Sequence, residues 1–425
     1  MAYKWANKLD PSPVLRSFYV RAEVLGDSLH IRDVRAYADA AVLSSMLEGD
    51  ERVSASGRFD LVWDALTGAH GQSKDDLLRE VNRIEASRRR KGKKTFTLVT
   101  TLSVDAGKIP SSLQIIELTA HFSKTISPTL KAARDGIAED YIKRGAIHAD
   151  DPGYCYVTIE VIASDASDAF NKCSSELNVL RGLLCIFCNP GFEKKITGSD
   201  HQAINVIQMG SFHTIHHADG QVDDQVIWYE PSYESKPVAS FRNANAVIDA
   251  TTRSLEALRR RPYNNRLALA LSKFASAFDE VDPDNAFVKS WSALESILTD
   301  NQADYSQLIR RCAFLYQDRE YHTAVLKQLA EHRNASVHRV ADASLSRTFC
   351  YLLQSYFGKA LSFHIFHYQH FEDYPEALAF LSGPFTAKAL DRAAARVDLA
   401  RRFLRLPPAG DTSKAAEDKG TDQPD

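Results

Sequence analysis

Arginine and histidine stand five residues apart in the segment Glu331-His332-Arg333-Asn334-Ala335-Ser336-Val337-His338-Arg339. Together Arg333 and His338 could carry phosphodiester chemistry. An imidazole with an unperturbed pKa of about 6.5 takes and returns a proton near neutrality. A planar guanidinium donates two hydrogen bonds to charge building on a phosphate. On RNA, the base would remove the 2′-hydroxyl proton, the freed oxygen would attack the adjacent phosphorus, and the 5′-oxygen would leave, giving a 2′,3′-cyclic phosphate. That route needs no metal or other cofactor, and DNA lacks its nucleophile. Spacing imposes a condition. Five residues along an unbroken α-helix rotate the second side chain by roughly 140° from the first. One phosphate is within reach of both only if the helix bends or ends between them, and Asn334 and Ser336, weak helix formers, are the expected break. The competing reading is a surface arginine and a partly buried structural histidine, since so short a motif also arises by chance.

The elements around this pair read as helix. Phe241–Arg260, Arg266–Phe278, Asp284–Leu298, Tyr305–Tyr316, Tyr321–Arg333, Ala343–Phe371 and Ala387–Leu404 carry apolar residues at three- and four-residue spacing. Arg261-Pro262, Asp282-Pro283 and Gly383-Pro384 separate several of them. The expectation is an up-and-down bundle over 238–406 with extra helices at its ends. Residues 1–94 read as mainly helical, with helices over Val34–Leu47, capped by Asp33, and Lys74–Arg90. Residues 95–235 read as α+β. Strands are expected at Thr95–Val104, Leu113–Leu118, Tyr154–Ile162, Ala203–Gln208 and Gln225–Tyr229, the last two around a turn at Asp219-Gly220, with a helix over Asp165–Phe187. A domain boundary is expected between Pro231 and Pro237. The tail 407–425 is rich in Pro, Ala and charge, with nothing to bury, and is expected to be disordered.

In the bundle, Trp291, Leu294 and Leu298 of Trp291-Ser292-Ala293-Leu294-Glu295-Ser296-Ile297-Leu298 share one helix face. Some forty residues later comes Arg333-Asn334-x3-His338, and then a long aromatic-rich helix. This combination resembles the HEPN superfamily, and within it the Apea-like group found in bacterial defence proteins. The resemblance covers about residues 241–404. It implies a helical bundle that forms a homodimer, so that two Arg-x4-His motifs face one another in a shared cleft. It also implies an endoribonuclease acting as a toxin or abortive-infection effector, answering to a phage-derived trigger or an antitoxin. On this resemblance Arg333 and His338 are catalytic, Asn334 is the polar residue after the arginine, and Glu295 orients Arg333. Residues 1–235 would then recognise a trigger or restrain the nuclease. The alternative is a catalytically silent bundle in which the same residues only hold RNA or a nucleotide.

Other residues weigh less. Arg88-Arg89-Arg90-Lys91-Gly92-Lys93-Lys94 and Arg259-Arg260-Arg261 could grip an RNA backbone or could be solvated helix ends. Neither run is interleaved with aromatic residues, so base stacking is not signalled. Cys185-x2-Cys188 lacks a second ligand pair, and the six cysteines lie mostly in apolar periodic segments, as core thiols do. His364, His367 and His370 recur every third residue, and His213, His216 and His217 cluster near a turn. Glu372 and Asp373 follow the first set closely, so it reads as a surface metal site or as an amphipathic, partly exposed histidine row, while the second lacks a matching carboxylate geometry. A net charge of −3 gives no global pull towards nucleic acid or anionic membrane, so RNA would have to be met by local basic patches. Without a secretory signature or a spanning apolar run, the expectation is a cytoplasmic protein with no membrane partner.

Overall fold

The computed structural model describes residues 2–25, 28–49, 55–68, 73–90, 92–193, 201–231, 233–241, 243–300, 304–338, 343–367 and 371–406, without the side chains of 28, 55–56, 89–90, 224–226, 337–338 and 343–344. The expected tail over 407–425 lies outside the described residues.

The N-terminal part is four helices with two short strand pairs. It contains β1 (Lys4–Trp5), α1 (Ser12–Arg21), β2 (Ala22–Leu25), β3 (Ser28–Ile31), α2 (Arg35–Ser45), β4 (Leu47–Glu48), α3 (Ala55–Gly68) and α4 (Lys74–Arg90). Phe18, Leu43, Val62, Leu77 and Val81 close a core of their own. The α2 helix starts just past the expected cap, where Asp33 Oδ1 accepts from the backbone N–H of Arg35 at 3.0 Å.

A six-stranded antiparallel sheet follows, in the order β10-β9-β5-β8-β7-β6. Its strands are β5 (Lys94–Leu102), β6 (Ser112–Gln114), β7 (Thr119–Ser123), β8 (Cys155–Ala163), β9 (Phe212–His217) and β10 (Val222–Tyr229). The central pair runs in unbroken register from Lys94↔Ala163 to Leu102↔Cys155. Two helices cover it, α5 (Pro128–Lys143) and α6 (Ala166–Cys188), the latter capped by Asp165. Side chains alternate across a strand. His213 of β9 meets Phe170 of α6, while Thr214 meets Arg134 of α5, so the two helices lie on opposite faces. Neither α5 nor β9 was expected. The Ala203–Gln208 segment is not a strand: it is a loop that buries Ile204 and Ile207, with the Asn205 N–H donating to Phe278 O at 3.0 Å.

The rest is helical, comprising α7 (Ala244–Arg259), α8 (Asn264–Phe278), α9 (Pro283–Leu298), α10 (Tyr305–Phe314), α11 (Arg319–His338), α12 (Ala343–Phe366), α13 (Tyr374–Leu381) and α14 (Ala387–Phe403). One core runs without interruption from Phe96 in the sheet to Leu381 in α13. The expected division between Pro231 and Pro237 therefore does not separate two interiors. The α6 helix faces the sheet and also packs on α7 and α8, and Arg181 Nη1 in α6 donates to Asp279 Oδ1 at 2.7 Å.

Arg134 is fully buried beneath the sheet. Its guanidinium donates to Asp150 Oδ1 at 2.7 Å, Val99 O at 3.0 Å, Phe212 O at 3.1 Å and Thr214 Oγ1 at 3.2 Å. Removing one partner of such a pair leaves the other charge buried and unmatched. Arg134→Met should lower unfolding stability by roughly 3–5 kcal/mol in a urea titration; an unchanged midpoint would show that this cluster is dispensable.

Candidate functional site

The proposed reacting segment closes α11. Asp282 caps α9, accepting from the Asn285 N–H at 2.8 Å, and Asp304 caps α10, accepting from the N–H groups of Ser306 and Gln307 at 2.9 and 3.2 Å. These caps fix where α9 and α10 begin beside α11. On α9, Trp291 is fully buried, and its Nε1 donates to Glu295 Oε1, one turn on, at 3.0 Å. The indole meets the Tyr305 ring edge-on, with centroids 5.7 Å apart. Over the same tyrosine lies the Arg333 guanidinium, 5.5 Å from the ring centroid. Burial raises the Tyr305 hydroxyl pKa, the Arg333 charge opposes that rise, and Glu295 adds to it.

Arg333 is half-buried, its Nε is buried with no hydrogen-bond partner, and it forms no ion pair among the described residues. Among the described residues no Glu295–Arg333 ion pair is formed, and Glu295 Oε1 accepts from the Trp291 N–H. Tyr305 lies beside Arg333 in its place.

The expected break between Arg333 and His338 is absent, and α11 stays helical through His338. The Ser336 Oγ donates to the His332 carbonyl at 3.0 Å, a back-bond to the preceding turn. The roughly 140° offset therefore stands along the helix. The His338 side chain lies outside the described residues.

Asn334, one residue on, opens onto a cavity of about 510 Å³ between α10 and α11. Tyr305, Phe314 and Phe385 line it together with Arg310, Arg319 and Lys327. Sequence reasoning missed this wall, although Arg319, Thr323, Lys327, Glu331 and Asn334 follow at four- and three-residue steps along one helix face.

A second constellation was also missed. His332 Nε2 lies 2.7 Å from Ser346 Oγ, and the Ser346 hydroxyl donates to Asp284 Oδ1. Phe287 and Phe349 meet the His332 ring edge-on, both at 4.8 Å. The order is not that of a nucleophilic triad. The serine proton points at the carboxylate, so the imidazole N–H donates to the serine oxygen, and Ser346 is fully buried. The chain of bonds ties α11 to α12 and to the first turn of α9.

The basic runs fare unevenly. Arg259 Nη1 donates to the carbonyls of Gln114 and Ile115 at 2.7 and 3.0 Å, Arg261 is buried with Nη2 on Ile365 O, and only Arg260 of the three is exposed. That run is not a free phosphate grip, because burial and backbone carbonyls take up two of its cations. Arg88 pairs with Asp64 at 2.7 Å, Lys93 and Lys94 are exposed, and Lys91 and the side chains of Arg89 and Arg90 lie outside the described residues.

Cys185 is buried and Cys188 half-buried, burial pushes both thiols up to about 12, and neither is in a disulfide. His213 and His216 are buried in β9, and His217 Nε2 lies 3.2 Å from Asp223. His364 is buried with Nε2 on Ile297 O at 2.9 Å, His367 is exposed, and His370 lies outside the described residues. Among the described residues no cluster of three or more His, Cys, Asp or Glu is placed to hold a metal ion, and no helix is long and apolar enough to cross a membrane.

No family model, no curated protein and no solved structure matches this chain.

Burial lowers the His364 pKa to about 4. The unfolded residue titrates near 6.5, so its contribution to stability is complete above that pH and is lost as the pH falls from there towards 4. The loss from this residue should be roughly 3 kcal/mol. His364→Asn should flatten the difference between urea midpoints at pH 7 and pH 4; an equally steep acid loss in that variant would remove His364 as its source.

Proposed function

We propose that the chain is a metal-independent endoribonuclease of the HEPN type whose reacting groups are Arg333 and His338. One observation carries the reading. Arg333 lies over the ring of Tyr305, which lines a cationic, aromatic cavity, and part of its donor set is unspent. Its terminal Nη groups make no hydrogen bond or ion pair among the described residues and are free to donate to a phosphate oxygen.

In this mechanism the His338 imidazole accepts the 2′-hydroxyl proton as the 2′-oxygen bonds to phosphorus. The bond from phosphorus to the 5′-oxygen breaks, that oxygen leaves with a proton taken from water, and the imidazolium returns its proton to solvent. Arg333 donates to the phosphate oxygens as charge builds on them. Because the helix is unbroken, Arg333 of one protomer would act with His338 of a second, across a two-fold axis. A role as a defence or toxin effector belongs to the same proposal and rests on the resemblance alone.

Purified protein incubated with total RNA and a chelator should yield fragments ending in 2′,3′-cyclic phosphate. Arg333→Ala and His338→Ala should each abolish cutting while melting at the wild-type temperature. Mixing the two inactive proteins should restore about one quarter of the activity, since half the dimers formed are mixed and each carries one complete site of two. Binding of RNA without any cutting by the wild type would favour the silent module, the second reading, to which the unbroken helix lends support.

A further inference from the structure

The cavity between α10 and α11 has features that cleavage at Arg333 and His338 does not use. Arg310 and Lys327 are exposed, Arg319 is half-buried, and among the described residues none of the three is paired with a carboxylate. One carboxylate, that of Glu331, lines the cavity beside them. The Arg319 guanidinium lies over two rings, 4.4 Å from the centroid of Phe385 and 5.1 Å from that of Phe314. Its Nη1 donates to the Phe385 carbonyl at 3.2 Å, while its Nε is buried without a hydrogen-bond partner. Phe385 itself is 50% exposed.

Flat apolar walls combined with three cations against one carboxylate suit a ligand that is aromatic and anionic at once. A volume of about 510 Å³ falls within the range of sites for small ligands. A duplex keeps its base faces stacked on one another and would leave the rings unused. A single strand offers a free base face for the rings and phosphates on either side for the cations.

We infer that this cavity is a nucleotide subsite for single-stranded RNA, in which Phe385, Phe314 and Tyr305 hold an unstacked base and Arg310, Arg319 and Lys327 hold its flanking phosphates. The inference rests on the reading that the chain handles RNA, but not on the chain cutting it. Asn334 stands at the end of the cavity nearest Arg333, so a base seated there positions the neighbouring linkage at the reacting segment. The subsite would thus govern which linkage is met and how tightly the strand is held.

The test uses the full chain and a fluorescein-labelled 2′-O-methyl RNA single strand, which lacks the nucleophile and cannot be cut. Anisotropy across a salt series reads both affinity and its salt slope. Phe385→Ala should weaken binding by about tenfold with the slope unchanged, because stacking is insensitive to salt. Lys327→Met should also weaken binding and reduce the slope by about 0.7, the value for one phosphate contact on a single strand. Both positions are exposed, and circular dichroism melting would verify that each variant folds as the wild type does. Wild-type affinity in both folded variants, or equal affinity of the wild type for the annealed duplex, would overturn the subsite. So would a wild type that binds no single strand. Absence of ribonuclease activity would overturn the proposed reaction and leave this result standing.

Discussion

A fully buried indole must satisfy its N–H, and at Trp291 that requirement organises the end of the bundle. Glu295, one turn later on α9, accepts the bond and is thereby committed. The edge of the same indole meets Tyr305 at the start of α10, and the face of Tyr305 carries Arg333 of α11. Three helices are thus brought together around one apolar ring with one polar handle. The arginine lies over a ring face and forms no ion pair among the described residues. Such a cation keeps donors available for a ligand, which an arginine locked into a bidentate carboxylate pair would not.

The sheet belongs to the same body. Because α6 lies between the strands and the helices α7 and α8, apolar side chains from both sides fill one interior. Buried arginines pin its polar points, Arg134 under the sheet and Arg181 between α6 and α8. Any regulatory role for residues 95–235 would therefore act through a shared core and not across a loose hinge. The described residues of the first ninety differ in closing a separate core.

Helices with apolar periodicity were legible in the sequence. The Lys74–Arg90 helix falls where its spacing puts it, and the ends of α8, α9 and α10 lie within two residues of expectation. What escaped was burial by polar residues. The α5 helix buries Arg134 and Ala138, so its inward stripe is not apolar. Strand β9 buries His213, Thr214 and His216 on both faces and so shows no alternation. The apolar Ala203–Gln208 run misled in the opposite sense, since its isoleucines are buried from a loop. The α13 helix did carry a local signal, for Asp373 caps it by accepting from the Glu376 N–H at 2.8 Å and Pro375 follows the cap. Of the site, Arg333 and Asn334 stood out through their motif. Tyr305, Arg319 and Phe385 did not, because their convergence is created only by packing α10, α11 and the approach to α14 together.

The same packing determines what each residue at the end of α11 can do. His332 is clasped between Phe287 and Phe349 and bonded into the Ser346–Asp284 pair, so its direction is inward. Successive residues of a helix turn by roughly 100°, so anchoring one sets the bearing of the next two. Arg333 follows Leu329, a buried residue, by one turn and falls at the margin against Tyr305, while Asn334 falls on the cavity wall. Breaking the helix at Asn334–Ser336 would forfeit the Ser336 back-bond and loosen the His332 anchor that gives Arg333 its bearing. The constraint that separates arginine from histidine in angle is thus the one that holds the arginine over the Tyr305 ring. A straight α11 keeps the two positions roughly 140° apart about its axis.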